Sequence, residues 1–159
     1  MRLEDVLEEY SRRHGVEPLK LNEAGVCSIK VDDMMTVTVE RSLDDRGFYL
    51  YASVAKVPEE KGNQIAIEAL KGNLFGVETG HASLGYAESE HLLIIYEYFD
   101  EDSISYIHYN EEFEQFLGYL SYWIHKVESL LGKKGSAPNL LRHSQGLLPD
   151  DGNMRIFFA

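Results

Sequence analysis

A chain of 159 residues, 44% hydrophobic and 26% charged, is long enough to bury one core and too apolar to be globally disordered. It carries 27 acidic against 15 basic side chains, a net charge of -12. That balance repels phosphate backbones, and the pairs Arg12-Arg13 and Lys133-Lys134 are too small to form a basic patch, so nucleic acid is not an expected partner.

The single cysteine, Cys27, leaves no intrachain disulfide and suits a reducing compartment. Met1-Arg2-Leu3-Glu4-Asp5 does not begin a secretory leader, and no stretch reaches the ~18 apolar residues of a membrane span. The expectation is a soluble, cytoplasmic protein without membrane insertion.

The opening segment "MRLEDVLEEYSRRHG" predicts a helix. Leu3, Val6, Leu7 and Tyr10 share one face, acidic residues sit near its start, basic residues near its end, and Gly15 stops it. "GVCSIKV" and "MMTVTVERS" alternate as strands around an Asp32-Asp33 turn, and "GFYLYASV" is a third strand entered through Asp44-Asp45-Arg46-Gly47. Both faces of that third strand, Phe48/Leu50/Ala52 and Tyr49/Tyr51/Ser53, are fairly apolar, which implies full cover on one side and partial cover on the other.

Pro58 to Leu74 predicts a second helix opened by Pro58 or Asn63, with Gly72 weakening its last turn. Its apolar residues Ile65, Ala66, Ile67, Ala69, Leu70 and Leu74 spread over more than half the circumference. Such a helix has to be buried on two sides: its own sheet can supply one cover, and a second subunit is one candidate for the other.

"HASLGYAE" and "HLLIIYEYF" predict a hairpin through Glu88-Ser89-Glu90, in which Leu92, Ile94 and Tyr96 alternate with Leu93, Ile95 and Glu97. A long helix is expected from an Asn110 N-cap to Leu131, with a stripe of Phe113, Phe116, Leu117, Leu120, Trp123, Ile124, Val127 and Leu131 and a stop at Gly132. After Ser136 the pattern fades, and Leu140-Leu141 or Ile156-Phe157-Phe158 would dock a tail. The order α-β-β-β-α-β-β-α with short hairpins predicts an α+β two-layer domain, an antiparallel sheet packed with helices. It is expected over residues 1–131, with a tail over 132–159.

Catalytic patterns fail one after another. Ser83 in "HASLG" lacks the preceding glycine and the strand-to-helix turn of a nucleophile elbow. The six histidines contain no pair at i, i+4, and His81 with His91 across the hairpin would supply only two ligands, so no metal is expected. Asp100-Glu101-Asp102 lacks the glycine and distal glutamate of a calcium loop, and Glu88 and Glu90 sit in a turn. "GKKGSAP" and the glycines at 72, 76, 80 and 85 match no phosphate or dinucleotide loop. With no convergent polar pocket in view, no cofactor and no enzymatic activity are expected. A small enzyme on an α+β scaffold is the least favoured reading.

The ordered pattern resembles the class I type III secretion chaperones, the small acidic effector chaperones of the Tir-chaperone type. The residues that carry the likeness are "LEEYSRRHGVEPLKLNEAGVCSIKVDD", "LYASVAKVPEE", "IEALKGNLFGVETGHASLGY" and "HLLIIYEYF". The resemblance implies a bacterial, cytoplasmic homodimer that binds the N-terminal chaperone-binding segment of a secreted effector. Such a dimer keeps the effector soluble and delivers it to the secretion ATPase.

By the same resemblance, Ile67, Leu70, Leu74 and Leu84 form the dimer contact. Leu3, Val6, Leu7, Tyr10, Ile29, Val37 and Val39 face the client, against an alternative in which they are core. Asn73, Leu74 and Phe75 pack the joint between the middle helix and the fourth strand. An adaptor of the same fold that binds a regulatory protein to control secretion-gene expression is the runner-up.

Overall fold

A computed structural model describes residues 1–33 and 35–132. Its elements are α1 (Leu3–His14), β1 (Val26–Lys30), β2 (Thr36–Arg41), β3 (Gly47–Lys56), α2 (Gly62–Asn73), β4 (Ser83–Ala87), β5 (Leu92–Asp100) and α3 (Tyr106–Leu130). The five strands form one sheet in the order β1-β2-β3-β5-β4, antiparallel throughout. This is the expected α+β architecture. The docking segments anticipated after Ser136 lie outside the described residues.

Alternation decides the layers. Cys27, Ile29, Val37, Val39, Phe48, Leu50, Ala52, Val54, Leu84, Leu93, Ile95 and Phe99 are all buried, and they occupy one face because side chains alternate along a strand. Helices α1 and α3 cover that face. Tyr109 of α3 packs its ring 5.5 Å from Phe99 and 6.0 Å from Phe48, and Tyr10 of α1 meets Phe113 of α3 at 5.5 Å. Gly15 ends α1 in the left-handed conformation, φ 65°, the usual glycine stop.

Arg41, at the end of β2, gathers the ends of several elements. Its guanidinium lies 2.6 Å from Glu4 of α1 and 3.1 Å from both Asp45 and Glu101.

Two boundaries differ from the expectation. The last helix begins at Tyr106, capped by the Ser105 side chain, which accepts from His108 N–H at 3.2 Å. Asn110 therefore lies one turn inside. The apolar stripe starts earlier too, because Tyr106 and Tyr109 are buried. Pro58 opens a short 3-10 turn, Glu59–Lys61, and the α-helix proper starts at Gly62.

Candidate functional site

The residues that the resemblance assigned to a client are buried. Leu3, Val6, Leu7, Tyr10, Ile29, Val37 and Val39 are each at most 1% exposed. Side chains so enclosed offer no surface to a partner in the folded chain. The physical reason is economy: a single sheet face with two helices over it consumes the whole apolar stripe of α1 and the inward rows of β1 and β2.

The middle helix behaves differently. Ile65, Ala69 and Gly72 are buried against the domain, while Ile67 is 55% exposed and Leu70 is 70% exposed. The ridge continues past the helix end through Leu74, Phe75 and Val77 in the turn toward β4, with Phe75 95% exposed. Phe75 has φ 54°, a conformation that bulky residues seldom adopt. Within one chain, then, Leu74 and Phe75 do not pack the joint as expected.

Asn73 does pack it. Its side chain accepts from Leu84 N–H at 2.8 Å and donates to the Leu84 carbonyl at 3.0 Å. Leu84 itself is buried in its own chain. Of the four residues assigned to a dimer contact, Ile67, Leu70 and Leu74 are bare and Leu84 is not.

Two further surfaces are open. β1 pairs only with β2 and so ends the sheet, as β4 does on the other side. The outer face of the sheet carries aromatic side chains: Tyr49 stands opposite Tyr98 and Tyr51 opposite Tyr96 across β3 and β5. The Tyr49 and Tyr98 rings are 5.2 Å apart. With Glu40, Gly85, Tyr86, Ala87 and Ile94, three of these tyrosines line a shallow depression. Tyr51 donates to Glu40 at 2.8 Å, and partial burial together with that carboxylate pushes its phenol up to about 12.

Sequence pattern missed one polar group. Glu97 sits on the inward row of β5 and is 8% exposed, and Glu112 of α3 is 5% exposed. Burial, with the Glu112 charge beside it, pushes the Glu97 carboxyl up to about 7. Together with His81 these residues bring potential ligand atoms within 4.8 Å of one another. The signal was present in "HLLIIYEYF", where a glutamate takes an apolar strand's core position, but a search for histidine pairs passes over it.

Ser83, in contrast, is simply the first residue of β4. His91, at φ 53°, belongs to the hairpin turn, where its Nδ1 lies 3.0 Å from the Tyr86 hydroxyl. No described helix is long and apolar enough to cross a membrane.

Among solved structures, the HopA1–SchA chaperone–effector complex contains a chain 18% identical, covering 76% of this chain and 91% of that one, with a TM-score of 0.62. The Yersinia pestis type III secretion chaperone SycH, solved with a stable fragment of YscM2, is 14% identical, covering 74% of this chain and 95% of that one, at a TM-score of 0.58. YbjN from E. coli, a putative transcription regulator by its description, is 14% identical, covering 80% and 92%, at 0.58. At such identities the likeness is one of fold. A search of curated protein sequences finds no significant match. The model of the Tir chaperone protein (CesT) family matches residues 5–124. Since that match spans well over half of its length, the chain belongs to the Tir chaperone protein (CesT) family.

Proposed function

We propose that this chain is a cytoplasmic, homodimeric type III secretion chaperone that binds the N-terminal segment of a secreted effector, keeps it soluble and passes it to the secretion machinery without catalysis. The observation that carries the reading is the bare apolar ridge of α2 and its following turn, on a chain whose family is a chaperone family. Fully burying a Leu, Ile or Phe side chain is worth about 1.5–3 kcal/mol. A contiguous ridge of five such residues, Val77 included, therefore favours a copy-to-copy contact. The left-handed Phe75, held out into solvent, fits the same role.

Client capture is then assigned to what remains open: the free edge of β1, by strand addition through its backbone, and the tyrosine-bearing outer sheet face, where aromatic rings receive apolar anchors. Ile29 takes part through its main chain and not its side chain.

A tagged pull-down from the native cell, followed by native mass spectrometry, tests the reading. It is supported by a secreted protein bound through its N-terminal segment to two copies of this chain. It is overturned by a monomer that recovers no partner. Recovery of a transcriptional regulator in place of a secreted protein makes the chain an adaptor on the same fold.

A further inference from the structure

The His81, Glu97 and Glu112 group unites three parts of the fold. His81 lies in the loop before β4, Glu97 on the core row of β5, and Glu112 in the second turn of α3. His81 Nδ1 is 2.9 Å from Glu112 Oε2, and His108, one helical turn before Glu112, places Nδ1 3.8 Å from Oε1. Glu97 is more than nine-tenths buried and makes no hydrogen bond to any described residue, while its carboxylate points into this group.

Two carboxylates this close repel each other, and burial raises the cost of each charge. An ordinary core would place Leu or Ile at position 97, as it does at Leu93 and Ile95 on the same row. A carboxyl kept there without a hydrogen-bond partner among the described residues has its oxygens free to take a ligand. Among the described residues no lysine or arginine pairs with Glu97 or Glu112; the partners on Glu112 are the imidazoles of His81 and His108. The group that does face Glu97 and Glu112 is the His81 imidazole, whose pKa the Glu112 hydrogen bond and charge raise; as a metal ligand it gives up that proton and binds neutral.

We infer that His81, Glu97 and Glu112 form a binding site for one divalent transition-metal ion of the zinc type. One imidazole with two carboxylates is a donor set that suits zinc better than magnesium or calcium, which prefer oxygen alone. The ion turns two mutually repelling carboxylates into a compensated pair. His81, with its side chain 72% exposed, sits at the mouth and provides the entry path. His108 lies 3.8 Å from the second oxygen of Glu112, and drawn into hydrogen-bond range it would orient that carboxylate, as outer partners of metal-bound carboxylates do. The fourth position is open to water. The ion fastens the loop that follows the α2 ridge to α3 and the sheet.

The test uses the full-length chain, stripped with a chelator and dialysed, and ZnCl2 as the probe. Isothermal titration against a competing chelator is expected to show one ion per chain, bound with micromolar or tighter affinity, and a rise in melting temperature with added zinc. His81→Ala removes a largely exposed side chain, so the fold is retained and affinity falls about tenfold or more. Glu97→Gln keeps the side chain's shape, is at least as stable as the wild type in chelator, and loses the zinc-induced rise. Cobalt gives a separate readout through its visible absorption, present in the wild type and absent in His81→Ala. The inference is overturned if no saturable binding occurs below about 100 μM. It is equally overturned if His81→Ala and Glu97→Gln bind zinc as the wild type does, because the ion then sits on other side chains.

Discussion

Gly72 of α2 lies against the indole of Trp123: a Cβ built at Gly72 would stand 2.3 Å from Trp123 Cζ2. The glycine that sequence propensity marks as a weak point in the helix is the position where α2 comes close enough to α3 to share the core. Trp123 is fully buried, and its Nε1 donates to the Glu78 carbonyl at 2.8 Å. Gly72→Ala gains up to about 1 kcal/mol in helix propensity, but forces a shift of the indole that costs about 1–3 kcal/mol. The balance favours loss. A lowered urea midpoint with an unchanged slope is the expected result, and a raised midpoint shows that the indole moves freely.

The Asn73 side chain does the work of a strand neighbour. By bonding both the N–H and the carbonyl of Leu84, it satisfies backbone groups at the sheet edge that would otherwise depend on water. Asn73→Ala removes both bonds and is expected to cost about 1–3 kcal/mol. Faster amide hydrogen exchange should appear at Leu84 before it appears in β3. Unchanged protection at Leu84 would mean that β4 is held by β5 alone.

How much of this was legible in the sequence follows from what each pattern reports. The period of two in "TVTVE" and the 3-4 spacing in "LEDVLEEY" predict the elements and which residues share a face, because alternation and helical pitch are local geometry. They do not say whether an apolar residue is covered by its own chain. Leu7 and Leu70 look alike as apolar residues on helices, yet Leu7 is 1% and Leu70 70% exposed. That difference is set by which helix crosses the sheet and which lies at its margin. The α2 ridge was readable because apolar positions exceeded one face. The Glu97 group was not, because its members are separated by 16 and 15 residues (81, 97, 112) and only the packing of β5 under α3 brings them together.

Acid titration isolates the surface of α1. Glu9 accepts from Arg12 and Arg13, and those guanidiniums, Arg12 first, hold its carboxyl down at about 2. An unfolded glutamate titrates near 4.3. A folded-state value below the unfolded one means that the contribution is present above the unfolded value and lost as pH falls through the folded one. Glu9→Gln should therefore be less stable than the wild type at pH 6, and the gap should close between about pH 4.5 and 2. The pair is exposed, so added salt should shrink the gap as well. Melting temperatures of the two proteins at several pH values check this, and a gap that widens in acid contradicts the assignment.

Leu70→Asp bears most directly on how the chain assembles. Leu70 is largely exposed in the single chain, so a carboxylate there remains hydrated and the fold should tolerate it within about 0.5 kcal/mol. In a two-fold contact across α2 the same change places two carboxylates in an apolar interface. Burying unpaired charge costs about 3–5 kcal/mol, or roughly a hundredfold or more in dimer affinity. Sedimentation at micromolar concentration should accordingly show the variant as a folded monomer beside a dimeric wild type. Leu43→Asp serves as the control, because Leu43 is fully exposed in the turn between β2 and β3, away from the ridge, and should leave the mass unchanged. A Leu70→Asp protein that stays fully dimeric, with an unaltered melting temperature, would move the contact off α2. The open sheet edge of β1 would then be the surface to test for it.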